Sequence, residues 1–300
     1  MRQDEISTVV QQVVDLTIAH YVFPDVGPQV RDVLTAALSA GRYPDGIEAA
    51  ELATLVTEDL QTINGDKHLR LLHSEEPLPE RLEEPAVQLA AMAGWARSVG
   101  GGIGRVERLD GNIGYIDVAP VLFPPTLSGN AIAAAMTLVE GSSALVVDLR
   151  RCRGGDPEAT TVFLSYLFDP EPIHVNGVYY RADDTVQQYW TQSYTAGPRY
   201  GSERPVAVLT SAGTFSGGEE LAFDLQELKR ATLFGEVTRG GANPRKGYTA
   251  HPHLEATIPV GRSVSPRTGE NWEGVGVQPD VEVAAEAALG RALEHLRAAS

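Results

Sequence analysis

The sequence has little cysteine, an acidic excess and no long apolar run. Cys152 is the only cysteine among 300 residues, which excludes an intrachain disulfide and gives no support for secretion. Lys and Arg total 24 against 40 Asp and Glu, and the formal net charge of -16 argues against nucleic acid or an anionic membrane as a partner. No run of about 18 apolar residues occurs, and the charged N-terminus lacks the apolar core of a signal peptide. We therefore expect a cytoplasmic protein without a membrane span.

Helical periodicity dominates the first 65 residues. Apolar residues recur at helical spacing over 6–19, 28–40 and 47–63, which predicts a three-helix unit. A strand is predicted over 67–73, with His68 near its start after the turn Asn64-Gly65-Asp66. Residues 74–84 are rich in glutamate and carry two prolines, as a linker or exposed loop does, and a short helix is predicted over 85–99.

From about residue 106 the pattern alternates strands and helices. A β-hairpin is predicted over 106–118, and 144–149 is a continuous apolar strand of the kind buried in a parallel sheet. The other predicted elements are helices over 128–140, 159–168 and 283–299, two short strands within 174–190, a strand over 231–235 and extended chain over 248–264. This predicts an α/β (α+β) protein with an N-terminal helical unit (1–75), a linker and short helix (76–104) and an α/β core (105–300).

One stretch combines a buried strand, a small turn and a helix. The apolar run 206–210 leads through a Gly-containing turn to Ser216, after which helical periodicity begins. A serine there has the surroundings of a nucleophile, because its hydroxyl is exposed, its neighbours are small and the amide of Gly217 is available to an oxyanion. The simpler interpretation is that Ser216 is only an N-cap.

A second glycine-rich turn, Gly154-Gly155, follows the buried strand 144–149. Ligands of open α/β sheets gather at the carboxyl ends of strands, so these glycines could supply a second oxyanion donor. They could equally form a plain turn, whereas a phosphate loop is disfavoured because neither the Walker spacing nor GxGxxG is present. The nearby Cys152 is interpreted as a small buried thiol rather than a nucleophile.

The remaining candidate side chains are individually weak signals. His68 taken alone is expected to be structural or solvated. His251 and His253 would face the same side of a strand, but no third ligand is evident, so no metal site is predicted. Glu273 lies in a Gly-rich turn, where a glutamate is usually solvated.

Four glycine-containing segments follow one another along the chain, at 148–155, 214–219, 235–242 and 273–280. Together, and in this order, they resemble the C-terminal processing (tail-specific) serine peptidase family. The branch they resemble contains bacterial relatives of interphotoreceptor retinoid-binding protein and the catalytic core of tricorn protease. The resemblance implies a crotonase-like ββα-spiral core. In the N-terminal part of the chain, Asp66-Lys67-His68-Leu69 resembles the histidine segment of this branch.

The resemblance implies a Ser-His-Glu triad of Ser216 as nucleophile, His68 as base and Glu273 as orienting carboxylate. It also implies an oxyanion hole formed by the amides of Gly217 and Gly155 (or Gly154). Such a triad is chemically sufficient, because the histidine takes the serine proton and the carboxylate stabilises the imidazolium.

The sequence also departs from the family pattern. Gly241 stands where classical members carry the catalytic lysine, and Lys246 is five residues away. Lys67 stands where tricorn has a serine that supports its charge relay. No PDZ domain is expected, because only about 30 residues separate the helical unit from the core.

The leading hypothesis is a serine endopeptidase or related acyl-transfer hydrolase. One alternative is a non-catalytic binding protein for an apolar small molecule on the same fold, which a large apolar pocket away from Ser216 would favour. Another is a non-proteolytic small-molecule enzyme. No cofactor or metal is predicted, the expected partner is a peptide, protein or small-molecule substrate, and homo-oligomerisation is left open.

Overall fold

The computed structural model describes residues 1–78 and 85–298, and contacts group the chain into two compact units. The smaller unit comprises Met1–Glu84, Val178–Gln187 and Asn243–Ser263. The larger comprises Pro85–Gly177, Gln188–Ala242 and Val264–Ser300. The linear division at 1–75, 76–104 and 105–300 stays a prediction, as does the absence of a PDZ domain, and part of the expected linker, 79–84, lies outside the described residues.

The smaller unit contains the three predicted helices and one antiparallel sheet. Its helices are α1 (Gln3–His20), α2 (Val26–Ser39) and α3 (Ala49–Asn64), and its strands are β1 (Arg70–His73), β9 (Arg245–His251) and β10 (Leu254–Pro259). The sheet order is β1-β10-β9, with Leu71 paired to Ala256. The three helix predictions are therefore confirmed.

Apolar side chains at helical spacing build the core of the smaller unit. Val13, Leu34 and Leu60, one from each helix, are fully buried and belong to one hydrophobic cluster with Leu71 of β1. α1 packs on α2, α2 on α3, and α3 on β1. Burial of such a side chain contributes about 1.5–3 kcal/mol, so the apolar faces of these amphipathic helices stabilise their packing.

The strand after the third helix begins later than predicted. β1 starts at Arg70, and His68 lies in the turn before it rather than in the strand. The Asp66 carboxylate accepts a hydrogen bond from the His68 amide at 2.9 Å, which forms an Asx turn. That side-chain acceptor competes with a strand partner, so the extended segment begins two residues after the histidine.

The larger unit is built on a six-stranded mixed sheet. In chain order its strands are β2 (Ile103–Leu109), β3 (Ile113–Val118), β4 (Ala144–Asp148), β7 (Val206–Thr210), β8 (Thr232–Gly235) and β12 (Val281–Glu282). The order in the sheet is β12-β8-β7-β4-β3-β2. β2 and β3 form the predicted hairpin, and the pairs from β3 to β12 are parallel. Every residue of β4 and β7 is buried, as their continuous apolar sequences predict.

Helices pack against this sheet and against one another. They are α4 (Pro85–Ser98), α5 (Pro125–Val139), α6 (Pro157–Ser165), α7 (Gly217–Glu227) and α8 (Ala285–Ala298). α5 packs on β2 and β3, α6 packs on α5 and α7, and α8 packs on β7 and β8. Ala288, Ala292 and Leu296 place the apolar face of α8 in one cluster with Leu209 and Phe234. The fold is therefore the mixed α/β arrangement that the sequence predicts.

The remaining strands form a third sheet. β5 (His174–Tyr180), β6 (Thr185–Trp190) and β11 (Gly261–Val264) are ordered β11-β5-β6, and the chain passes from one unit to the other within each strand. Among the described helices, none combines the length and the apolar character needed to cross a bilayer.

Candidate active site

Ser216 lies at the turn that joins β7 to α7. It is the N-cap residue of α7, as predicted, and is half-buried. Its backbone angles, φ 50° and ψ -121°, fall outside the regions that a non-glycine residue normally occupies. A conformation of this kind costs about 1–3 kcal/mol and persists only where its surroundings hold it. The residues around Ser216 must therefore offset this strain.

One carboxylate holds this turn. Glu219, fully buried three residues into the helix, accepts a hydrogen bond from the Ser216 amide at 2.8 Å. A hydrogen bond to a charged group contributes about 1.5–3 kcal/mol, which is comparable with the strain at Ser216. The negative charge is also favourably placed in the first turn of α7.

The Gly154-Gly155 turn lies directly against Ser216. A Cβ atom built on Gly154 would lie 3.1 Å from the Ser216 Cβ, 3.6 Å from its Oγ and 3.8 Å from the Gly217 nitrogen. A Cβ built on Gly217 would lie 2.9 Å from the Gly155 nitrogen. Gly154 and Gly155 have φ values of 134° and 140°, which L side chains rarely adopt. Glycine is therefore required here by both conformation and space.

Two backbone amides at this junction are available to an oxyanion. Within the described parts of the chain, the N–H groups of Gly217 and Gly155 donate no hydrogen bond. The Gly217 amide belongs to the first turn of α7, where the helix dipole favours negative charge. The Gly154 carbonyl is occupied, because it accepts from the Leu122 amide at 2.9 Å and so anchors the turn.

Glu219 also connects the serine turn to the segment after β8. Besides the Ser216 amide, its carboxylate accepts hydrogen bonds from the hydroxyl of Thr238 and from the amides of Gly240 (2.6 Å) and Gly241 (2.9 Å). Burial raises the pKa of Glu219, and these four hydrogen bonds act in the opposite direction. The sequence analysis did not single out Glu219 or Thr238, although Ser-x-x-Glu at a helix start is a recognisable capping signal.

Glu273 lies in the turn after Trp272, half-buried and in the same unit as Ser216. Its Oε2 accepts a hydrogen bond from the Ala242 amide at 2.6 Å. The Trp272 indole donates to the Gly241 carbonyl at 2.9 Å. Gly241, at the position of the classical lysine, is therefore held by Glu219 through its amide and by Trp272 through its carbonyl.

His68 lies in the smaller unit and is 5% exposed. Its amide donates to Asp66, and its carbonyl accepts from the Thr257 hydroxyl at 2.6 Å. Asp66 also accepts hydrogen bonds from Tyr21 at 2.8 Å and from Asn243 at 2.9 Å. Burial raises the pKa of Asp66, while these hydrogen bonds oppose the shift. The backbone of His68 is thus fixed by polar contacts within its own unit.

The predicted site residues are therefore distributed over both units. The larger unit brings Ser216 and Gly217 together with Gly154 and Gly155, and it also carries Glu273. His68 belongs to the smaller unit, and the three-residue triad stays a prediction.

Two other histidines do not share a strand. His251 is the last residue of β9, and His253 follows in the turn, where its amide donates to the His251 Nδ1 at 3.2 Å. The expectation that they face the same side of one strand is wrong, because the chain reverses between them. Lys246 is exposed on β9.

Cys152 is fully buried beneath the serine turn. Its Sγ lies 3.5 Å from the Gly154 carbonyl oxygen, and a Cβ on Gly218 would approach that sulfur to 2.9 Å. Burial raises the pKa of the thiol to about 11. The interpretation of Cys152 as a small buried thiol is confirmed.

A polar cleft of about 590 Å³ opens at the carboxyl ends of the parallel strands in the larger unit. Asp117 and Asp148 end or nearly end β3 and β4, and Glu236 follows β8 at its rim. Arg153 and Gly213, which also line the cleft, are close in sequence to Gly154 and Ser216. Ser216, Gly154 and Gly155 are themselves not among the residues that line this cleft.

The chain is similar to known peptidases in sequence and in fold. It is 35% identical over 175 residues to a carboxyl-terminal-processing protease of Synechocystis, a match covering 56% of this chain and 37% of the length of that relative. The photosystem II D1 C-terminal processing protease superposes with a TM-score of 0.53 at 16% identity, covering 94% of each chain. The tricorn protease superposes with a TM-score of 0.59 at 15% identity, covering 98% of this chain and 37% of its own.

Two family models match successive parts of the chain. Residues 2–96 match the N-terminal domain of peptidase S41 in eukaryotic IRBP, and residues 112–283 match peptidase family S41 itself. The second model spans more than half of the chain and includes Ser216 and both glycine-rich turns, so the chain belongs to peptidase family S41, as its resemblance to C-terminal processing serine peptidases predicts.

Proposed function

We propose that this chain is a serine endopeptidase in which Ser216 is the nucleophile. The observation that carries the proposal is the strained Ser216 at the start of α7, with Gly154 packed against it and the Gly217 and Gly155 amides unused by the described chain. This arrangement provides a hydroxyl and two oxyanion donors at one place. Membership of the S41 family supports the same chemistry.

In the proposed mechanism, His68 takes the Ser216 proton as Oγ attacks the substrate carbonyl. The amides of Gly217 and Gly155 stabilise the oxyanion that forms, and Glu273 orients the histidine and stabilises its charged form. The peptide C–N bond then breaks, the amine leaves with the proton from His68, and an acyl-enzyme remains. Water attacks this ester, giving its proton to His68, and the Ser216 hydroxyl is restored when the carboxylic acid leaves.

A peptide is the proposed substrate class. The cleft at the carboxyl ends of the parallel strands is lined by charged groups of both signs, and an extended peptide offers hydrogen-bond donors and acceptors along its length. C-terminal processing, the activity named for the Synechocystis relative, is the form of peptidase activity that we propose to test first.

Intact-mass spectrometry after incubation with a fluorophosphonate tests the nucleophile and the base. We expect one adduct on the wild type, mapped to Ser216, and none on Ser216→Ala. His68→Ala should also lose labelling, whereas the matched control His73→Ala, an exposed histidine of β1, should keep it. Labelling of His68→Ala at the wild-type rate would show that another group is the base.

Peptide and ester substrates then separate peptidase activity from other acyl transfer. Cleavage of peptides, with product masses giving the position of the broken bond, supports the proposal. Turnover of small esters without any peptide cleavage would favour a non-proteolytic acyl-transfer enzyme.

A cavity in the smaller unit favours a second candidate function, binding of an apolar small molecule. Its volume is about 630 Å³, within the range of ligand pockets, and none of the predicted catalytic residues lines it. Val9, Leu78 and Ala250 supply apolar walls. A ligand that raises the melting temperature of the wild type but not of Thr8→Trp, a substitution that would fill the cavity, supports this function.

A further inference from the structure

We propose that Glu219 is a positioning residue that holds the nucleophile turn and the 238–241 segment in one fixed arrangement. The inference rests on the proposed function, because it concerns how Ser216 is presented for attack.

The carboxylate of Glu219 has no unused acceptor position. Oε2 accepts from the Ser216 and Gly241 amides, and Oε1 accepts from the Gly240 amide and the Thr238 hydroxyl. A carboxylate offers about four lone-pair sites, so the four donors fill them. All four partners approach as donors, which an ionised carboxylate can satisfy and a carboxamide cannot.

The residues joined by Glu219 are far apart in sequence. Ser216 is the N-cap of α7, whereas Gly240 and Gly241 follow β8, 24 and 25 residues after Ser216. The Glu219 side chain therefore links the two loops directly through its hydrogen bonds. The second loop is tied in turn to the Glu273 turn, because the Gly274 amide donates to the Gly240 carbonyl at 3.1 Å. A shift at Glu219 would therefore reach both the strained serine and the segment that carries Glu273.

The isosteric substitution Glu219→Gln tests this role with little change of volume. Its amide group would face two of the four donors, so the Ser216 turn should lose its fixed geometry. We expect the second-order rate of fluorophosphonate labelling to fall by about 100-fold, the size of effect produced by a misplacement of about 1 Å. For a peptide substrate, kcat should fall while KM changes little.

Glu220→Gln is the matched control. Glu220 is the next residue of the same helix, is equally buried, and accepts a hydrogen bond from Asn176 at 3.0 Å rather than from the serine turn. We expect Glu220→Gln to be labelled at a rate close to that of the wild type. Equal labelling rates for Glu219→Gln and Glu220→Gln would overturn the proposal.

Amide hydrogen exchange supplies a readout that does not require activity. Peptides containing the Ser216, Gly240 and Gly241 amides should exchange about tenfold faster in Glu219→Gln than in Glu220→Gln, the factor expected for loss of one hydrogen bond to a charged acceptor. Unchanged exchange would overturn the proposal. If the wild type neither reacts with the probe nor cleaves peptides, the proposed function fails, while the exchange comparison still decides the role of Glu219.

Substitutions at Thr238 keep the test decisive if Glu219→Gln does not fold. Thr238→Val removes one donor to the carboxylate, and Thr238→Ser retains the hydroxyl. We expect Thr238→Val to slow labelling and speed exchange at the Ser216 amide, and Thr238→Ser to restore both rates. Identical labelling and exchange rates in Thr238→Val and the wild type would contradict the proposed link through Glu219.

Discussion

Two buried acidic residues on α7 should make the stability of the larger unit depend on pH. Burial raises the pKa of Glu220 from 4.5 to about 7, with a further upward contribution from Asp156, while a hydrogen bond from Asn176 opposes the shift. Asp224, one turn further, is fully buried, and neither of its carboxylate oxygens accepts a hydrogen bond from the described residues. Burial, with the charges of Glu220 and Glu227, raises the pKa of Asp224 well above its ordinary value.

The sign follows from proton binding. Between pH 4.5 and about 7 the folded protein holds a proton on Glu220 that the unfolded chain has released, so the free energy of unfolding falls as pH rises through this window. The shift corresponds to about 3 kcal/mol for Glu220 alone. Glu220→Gln cannot ionise, so its unfolding free energy relative to the wild type should increase by up to about 3 kcal/mol from pH 4.5 to about pH 8.

Urea unfolding followed by tryptophan fluorescence measures this difference. Trp95, Trp190 and Trp272 are the three tryptophans, and all belong to the larger unit, so the signal reports the unit that contains Glu220. Glu140→Gln, at an exposed glutamate after α5, removes the same formal charge and should show little pH-dependent difference. If the difference in unfolding free energy between Glu220→Gln and the wild type is the same at about pH 5 and about pH 8, Glu220 does not carry the extra proton in the folded protein.

Three shorter predictions concern the serine turn and the 238–241 segment that Glu219 joins to it. Gly154→Ala should abolish fluorophosphonate labelling, because the new Cβ would lie 3.1 Å from the Ser216 Cβ and the φ of residue 154 is 134°. Its far-ultraviolet circular dichroism should stay close to that of the wild type. Labelling at the wild-type rate would refute the close packing of Gly154 on Ser216. Cys152 should resist a thiol reagent until denaturant is added, because it is fully buried and burial raises its pKa to about 11; rapid reaction of the native protein would contradict this. Trp272→Phe removes the indole donor to the Gly241 carbonyl and should lower the unfolding free energy, measured by urea titration, by about 1 kcal/mol. An unchanged unfolding free energy would mean that this hydrogen bond contributes little.

The local sequence predicted helices and strands well wherever burial of apolar side chains dominated. Helical spacing of buried apolar residues fixed α1 to α3, and continuous apolar runs fixed β4 and β7. Element ends were less accurate. α5 begins at Pro125 rather than at 128, since proline is well suited to the first helical position, and β1 begins later because Asp66 captures the His68 amide.

The candidate site was predictable in part. A serine after a buried strand and before a helix, and paired glycines after another strand, are visible locally, and family motifs added His68 and Glu273. The close approach of Gly154 to Ser216 was not visible, because about 60 residues separate them and only the parallel pairing of β4 with β7 brings their loops to one edge of the sheet. Glu219 was missed for a related reason, because three of its four donors belong to the loop after β8.

The sequence by itself therefore determined the fold class and the family, and it supplied Ser216 as the proposed nucleophile, since these depend on short-range patterns of burial, turn chemistry and motif order. The tertiary structure alone decided the discontinuous division into two units and the partners of Glu219. Both depend on which distant segments pack together, and a buried carboxylate can be satisfied only by the donors that packing brings to it.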